Sequence, residues 1–303
     1  MRAIQITEYG PPSVLRVAEV PDPHAGPGEI RIAVRASGLS AGDVRIRSGE
    51  LRDVVTLPYR TGFDAAGVVD EIGEGVTGVR VGDEVFGATA TAARGANSDY
   101  AVLAAWALKP AAWSWAEAGG AAGSVETATR AFDRLGVGDG HTVLVQGAAG
   151  GVGTVAVQLA VARGATVIGT ASEHNHDLIR ALGAEPTTYG AGLADRVPSE
   201  VDAVLDCAGG ALPELVAIAG DPARVVTIAD LSAAAHGVHL SHAASGMPGA
   251  DPLALHGLAI AAALADEGRL RVPVAAEFPL AEAAAAHELS ESRRAGGKIV
   301  LAN

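Results

Sequence analysis

The sequence predicts an α/β protein in which a doubly wound sheet of six parallel strands joins a second, mostly β unit. Three observations carry that expectation. A short valine-rich run, Thr142 to Val145, passes through Gly147, Gly150, Gly151 and Gly153 into a segment with apolar residues at helical spacing. Strand-like and helix-like runs then alternate as far as residue 242. Residues 1–110 instead break into short strand-like runs with glycine and proline corners, the pattern of a small barrel or sandwich-like domain.

The glycine stretch reads as a phosphate cradle. A strand, a tight turn and a helix in that order aim the first free N–H groups of the helix, and its positive dipole end, at whatever fills the turn. Ala149, Gly150, Gly151 and Val152 are the candidate contacts, and Val152, Val155, Ala156, Leu159 and Ala160 are expected to form one buried stripe. The pattern Ala148-x-Gly150-x-x-Gly153 has alanine where the dinucleotide fingerprint has its first glycine. A second strand-like run, Ala165 to Thr170, completes a unit of roughly 30 residues, as that fingerprint requires. A turn made for purely structural reasons is the plainer alternative, since 39 of the 303 residues are glycine.

Bulk composition narrows the function. The chain is 49% apolar and 19% charged, with a net charge of −13 and no basic runs. Nucleic acid and anionic membranes are therefore not expected partners, because no general positive field exists to attract them. No charge-free run of transmembrane length is present, and Met1 leads into a strand-like segment without a signal-peptide pattern. One cysteine, Cys207, permits no internal disulfide and no cysteine-rich metal site. A cytoplasmic enzyme is expected.

Along the chain, Arg2–Ile6, Val14–Val17, Glu29–Arg35, Gly67–Ile72, Glu84–Phe86 and Ser98–Leu103 read as strands. Ser114 followed by Glu117 is a capping-box start to a helix, and Glu126–Leu135 reads as another helix. The six strands of the second unit are expected at 142–146, 166–170, 186–189, 201–205, 224–228 and 238–241. Helices are expected at Leu253–Leu264 and Leu280–Leu289, with a final strand at Lys298–Leu301.

The end of the second strand discriminates between cofactors. An NAD site commonly places Asp or Glu there to accept from the ribose 2′-hydroxyl. Here the position falls on uncharged Ala171, followed by Ser172, Asn175 and His176, which can hydrogen-bond a 2′-phosphate. NADPH is the expected cofactor. Ser172 as a simple helix cap is compatible with either cofactor, and no arginine lies in this loop.

Pro27-Gly-Glu-Ile-Arg-Ile-Ala-Val-Arg-Ala-Ser-Gly38, Gly62-Phe-Asp-Ala-Ala-Gly-Val-Val69, Val81-Gly-Asp-Glu-Val-Phe-Gly87, the cradle and Gly297-Lys-Ile-Val-Leu301 occur in one order and spacing. Together they resemble the medium-chain dehydrogenase/reductases, and within them the zinc-free quinone oxidoreductase, or zeta-crystallin-like, group. The resemblance implies a GroES-like barrel domain at 1–113 and 268–303 and a Rossmann NADPH-binding domain at 114–267, with the active site in the cleft between them. It also implies a homodimer, with Val238–His242 as the counterpart of a strand that pairs across a two-fold axis.

Zinc-dependent relatives carry cysteine where this chain has Ser40, and His-Glu where it has Phe63-Asp64, and they have a four-cysteine lobe that is missing here. A catalytic zinc needs about three ligands around one point, so no metal is expected. Without a Lewis acid, the chemistry that fits is hydride transfer to a quinone or an α,β-unsaturated carbonyl acceptor, where charge delocalises onto oxygen.

Residue by residue, the resemblance places Ser40 beside the nicotinamide, Tyr59 at the substrate and Thr127 at the start of the helix facing the nicotinamide. Tyr189 matches a tyrosine near the 2′-phosphate. Cys207 and Ile228, ending the fourth and fifth strands, and Lys298 near the terminus are further candidate cofactor contacts. Each has a plainer alternative: barrel packing for Tyr59, capping or packing for Thr127, strand packing for Tyr189, an exposed edge charge for Lys298, a small inert residue for Cys207. Arg45 attracts an anionic substrate, pairs with Asp43 or is simply solvated. Two other functions stay open: a natural-product enoyl reductase, and a non-catalytic dinucleotide-binding protein.

Overall fold

The computed structural model describes residues 1–90, 95–243 and 249–303. They divide into two compact units, Met1–Gly123 with Leu258–Asn303, and Ser124–Gly257. Contacts thus group 114–123 and 258–267 with the β-rich unit.

In the β-rich unit, a seven-stranded sheet runs in the order Val274–Pro279, Lys298–Ala302, Ile30–Leu39, Asp64–Ile72, Glu84–Ala88, Ala105–Leu108, with Tyr100–Leu103 also on Ile30–Leu39. A three-stranded sheet orders Arg16–Glu19, Arg2–Ile6 and Tyr59–Arg60. The alternating run beginning at Glu29 extends further than its polar–apolar pattern predicts, because Ala36 to Leu39 are buried on both faces and alternation no longer marks them. Gly67 permits the central pairing: a Cβ there would lie 2.2 Å from the Ala33 carbonyl oxygen. Ile4, Ile6, Leu39, Ile46 and Leu301 pack one core, and Ile30, Ile32, Val69, Val85 and Leu103 another.

The second unit contains a wholly parallel six-stranded sheet, ordered Glu185–Thr187, Thr166–Thr170, Thr142–Gln146, Ala203–Asp206, Val225–Thr227, His239–Leu240. All six expected strands are present, the third, fifth and sixth shorter than expected and the fourth shifted to begin two residues later. The helix Gly153–Ala162 is buried on every side through Ala160 rather than along one stripe. Its sequence is apolar all round, and such a helix is stable only when covered. The single polar amide among these residues, Gln158, is satisfied by donating to the Thr154 carbonyl at 2.8 Å. Ser114 and Glu117 form the expected capping box. The following helix starts at Ala122, four residues before the expected Glu126. The expected helix from Leu253 begins only at Gly257.

Candidate functional site

The cradle is built by two glycines with different duties. Gly147 turns the chain at φ 77°, a conformation disfavoured for other residues. Gly153 brings the helix against the strand end: a Cβ there would sit 2.2 Å from the Gly147 oxygen and 2.8 Å from the Ala148 Cα. The turn is further pinned by Thr170, whose hydroxyl donates to Gln146 Oε1 at 2.6 Å and accepts from the Gly147 N–H at 3.0 Å. The Gly150 N–H bonds back to the Gly147 carbonyl, and Thr154 N–H to Gly150. Among the described residues, the N–H groups of Gly151, Val152 and Gly153 have no backbone acceptor. Ala149 is buried beside them. Open amides at a helix start, reachable past residues without bulky side chains, fit a pyrophosphate.

At the end of the second strand, Ala171 is buried and donates its N–H to the Thr187 carbonyl at 2.9 Å. Ser172 begins a short turn of 3-10 helix, Glu173–Asn175, with Glu173 exposed. The Ser172 hydroxyl meets the Tyr189 hydroxyl at 3.2 Å. His176 Nε2 lies 3.3 Å from the Ala171 oxygen, and Asn175 donates its N–H to the Ser172 carbonyl. Ser172, Asn175, His176 and Tyr189 therefore surround one strand end without a carboxylate at Ala171. Tyr189 lies beyond its strand, which stops at Thr187, and is exposed. Its turn is held by Arg196, which donates to the carbonyls of Thr188, Gly190 and Ala191 at 3.0–3.2 Å. Sequence reasoning missed Arg196: nothing in a four-residue helical turn at Leu193–Arg196 marks it.

Cys207 and Ile228 follow the fourth and fifth strands, donating their N–H groups to Gln146 and Asp206 carbonyls. Burial pushes the Cys207 thiol well above its ordinary range, and the neighbouring Asp206 charge adds to this. A thiol so held is a poor nucleophile. Thr127 stands in the second turn of the helix Ala122–Leu135, not at its start. Its hydroxyl donates to Glu126 Oε2 at 3.3 Å and accepts from Arg130 Nη2 at 3.4 Å.

In the β-rich unit, Ser40 caps the helix Ala41–Ser48. Its hydroxyl donates to Asp43 Oδ2 at 2.6 Å and accepts from the Asp43 N–H at 3.1 Å, while Gly62 N–H donates to Asp43 Oδ1 at 3.2 Å. Arg45 pairs with Glu50 at 3.6 Å. Tyr59 is buried in the core with Ile4, Ile6 and Leu39.

Lys298 is not an exposed edge charge. It is buried, with Nζ 3.3 Å from the Leu39 oxygen and 3.5 Å from Asp64 Oδ2, whose side chain is 1% exposed. Three glycines make room for this pair: a Cβ on Gly38 or Gly123 would press on the Asp64 carboxylate, and one on Gly120 on the Lys298 stem. Asp64 thus holds the lysine, Ser40 is closed in its own capping box and Phe63 has no donor. These side chains do not fit a catalytic zinc, and among the described residues no group of three or more His, Cys, Asp or Glu converges on a point.

Residues 26–131 match the alcohol dehydrogenase GroES-like domain, and residues 182–301 the zinc-binding dehydrogenase domain. A 2-methylene-furan-3-one reductase of Solanum lycopersicum is 32% identical over 69% of this chain and 57% of its own length. The chain thus spans little more than half of that curated relative. The structure of an NAD-dependent alcohol dehydrogenase is 30% identical with a TM-score of 0.83, and Escherichia coli quinone oxidoreductase complexed with NADPH is 26% identical with a TM-score of 0.80. Both likenesses cover 100% of this chain and 100% of the other. The chain belongs to the medium-chain dehydrogenase/reductase family.

Proposed function

We propose that this protein is a zinc-independent, NADPH-dependent oxidoreductase that delivers hydride to a quinone or an α,β-unsaturated carbonyl compound. The observation that carries the reading is the pairing of Ser172 with Tyr189 at a strand end whose own residue, Ala171, has no charge. Two hydroxyls there can donate to a 2′-phosphate, and no strand-end carboxylate repels it. NADPH, when bound, supplies the hydride. The open amides of Gly151 to Gly153 hold its pyrophosphate, and Asn175 and His176 flank the 2′-phosphate. The occupied positions of Ser40, Phe63 and Asp64 support chemistry that needs no metal, which a conjugated acceptor permits because its developing charge is delocalised.

Hydrogen bonds to a charged phosphate contribute about 1.5–3 kcal/mol each, so losing the phosphate on going to NADH costs roughly tenfold or more in kcat/KM. The test is oxidation of NADPH and NADH against a panel of quinones and enones, with and without added zinc. Equal use of the two cofactors refutes the NADPH assignment, and zinc-dependent turnover refutes metal independence. No oxidation with any acceptor, despite tight binding, favours a non-catalytic dinucleotide-binding protein. A homodimer paired through the edge strand His239–Leu240 belongs to the same proposal, and sedimentation as a monomer at micromolar concentration refutes it.

A further inference from the structure

Behind Thr127 lies a buried polar network that the sequence motifs do not account for. Arg130 and Glu126 are 6% and 3% exposed at the side chain. Arg130 Nε donates to Glu126 Oε1 at 2.8 Å, and Nη2 to Glu126 Oε2 at 3.2 Å and to Thr127 Oγ1 at 3.4 Å. Its remaining terminal nitrogen, Nη1, donates to Ser241 Oγ. Ser241 in turn donates to Asp251 Oδ2 at 2.7 Å, which also meets His239 Nε2 at 2.8 Å, while Arg134 reaches Asp251 Oδ1 at 3.2 Å. Burial pulls the Asp251 carboxyl upward, but the bonds from Ser241 and His239 and the charge of Arg134 outweigh it and hold the group below its ordinary range. The Ala254 N–H closes the network on Glu126 Oε1 at 3.2 Å.

We infer that Arg130 is a positioning residue for the Thr127 hydroxyl, fixing its oxygen while leaving its proton available to the nicotinamide half of the cofactor. Arg130 cannot swing, because all three of its nitrogens are engaged and the far partner, Ser241, is itself tied to Asp251. Glu126 receives Arg130 twice and the Ala254 amide, so its long bond from Thr127 can be given up without stranding a buried charge. Remove Arg130, and an uncompensated Glu126 competes for the Thr127 proton while the oxygen loses its anchor. The inference rests on the proposed dinucleotide reading and on the family resemblance, which turns Thr127 toward the nicotinamide.

The experiment compares Thr127→Val, Arg130→Met, the charge-balanced pair Glu126→Gln/Arg130→Met, and that pair combined with Thr127→Val. Melting of the ligand-free proteins identifies folded variants; the charge-balanced pair serves if Arg130→Met alone does not fold. Two readouts follow: binding of NADPH against binding of 2′,5′-ADP, which lacks the nicotinamide, and kcat with a quinone that the wild type reduces. Expected for the pair is a NADPH Kd raised severalfold with the 2′,5′-ADP Kd unchanged, and kcat lowered about tenfold. Adding Thr127→Val should cause no further loss, because both changes remove one function. Parallel weakening of NADPH and 2′,5′-ADP, unchanged binding and kcat, or losses that add in full would each overturn the inference. A wild type that reduces no quinone or enone instead refutes the proposed activity, and the binding comparison still decides the role of Arg130.

Discussion

Replacing Gly153 with alanine tests the cradle most directly. At a helical position this change ordinarily stabilises by about 1 kcal/mol, because alanine has the better helix propensity. Here the new methyl would lie 2.2 Å from the Gly147 oxygen and 2.8–2.9 Å from backbone carbons of Ala148, where ordinary contact begins at 3.4 Å. None of these atoms belongs to a flexible side chain, so the helix start and the turn must separate by about 1 Å, at an overpacking cost of roughly 1–3 kcal/mol. The two effects leave a net destabilisation of up to about 2 kcal/mol. The same displacement moves the amides of Gly151 and Val152 away from a bound pyrophosphate, and the expected rise in NADPH Kd is tenfold or more, about 1.4 kcal/mol. Urea unfolding and fluorescence titration with NADPH measure the two quantities. Gly138→Ala is the control, since a Cβ at Gly138 meets nothing closer than 4.0 Å and the residue does not need a positive φ. A Gly153→Ala protein with wild-type Kd and unchanged or raised stability would refute the close-approach argument.

Lys298→Met should cost about 3–5 kcal/mol in urea unfolding, because it leaves the buried Asp64 carboxylate uncompensated. Asp64→Asn/Lys298→Met should recover most of that, and a single-variant loss below about 1 kcal/mol contradicts the buried-pair account. Stability should also depend on pH through His287. Burial pushes this imidazole down to about 4, with Arg47 adding to the effect and the carboxylates of Asp43 and Glu291 opposing it. A depressed folded pKa means the unfolded chain binds the extra proton, so the contribution is complete above the unfolded value of 6.5 and is lost as pH falls toward 4. Its full size is on the order of 3 kcal/mol. The difference in stability between wild type and His287→Leu should shrink or reverse across that window, and parallel pH curves would contradict it.

Much of the fold was legible because it depends on local rules. The capping box at Ser114 and Glu117, the valine-rich strands and the glycine turn each need only neighbours in sequence to be recognised. Strand ends were less legible: Tyr189 was expected within a strand, yet the ladder ends at Thr187, where hydrogen-bonded pairing with Thr166–Thr170 stops. Side-chain roles were least legible. Ser40 carries the right atom for a hydrogen bond, but whether its proton is free depends on Asp43, which closes a capping box around it.

The sequence by itself determined the glycine turn between the first strand and helix of the parallel sheet, where we propose the dinucleotide phosphate sits, and the uncharged residue at the second strand end, since both follow from glycine stereochemistry and from residues a few positions apart. Tertiary structure alone decided the electrostatic partnerships. Lys298 and Asp64 are 234 positions apart in the chain, and Arg130 and Ser241 are separated by 111. Such pairs cost little to leave apart in water and much to leave unpaired once buried. Only the packing that removes water from them makes the partner obligatory, and no local pattern in the sequence records that packing.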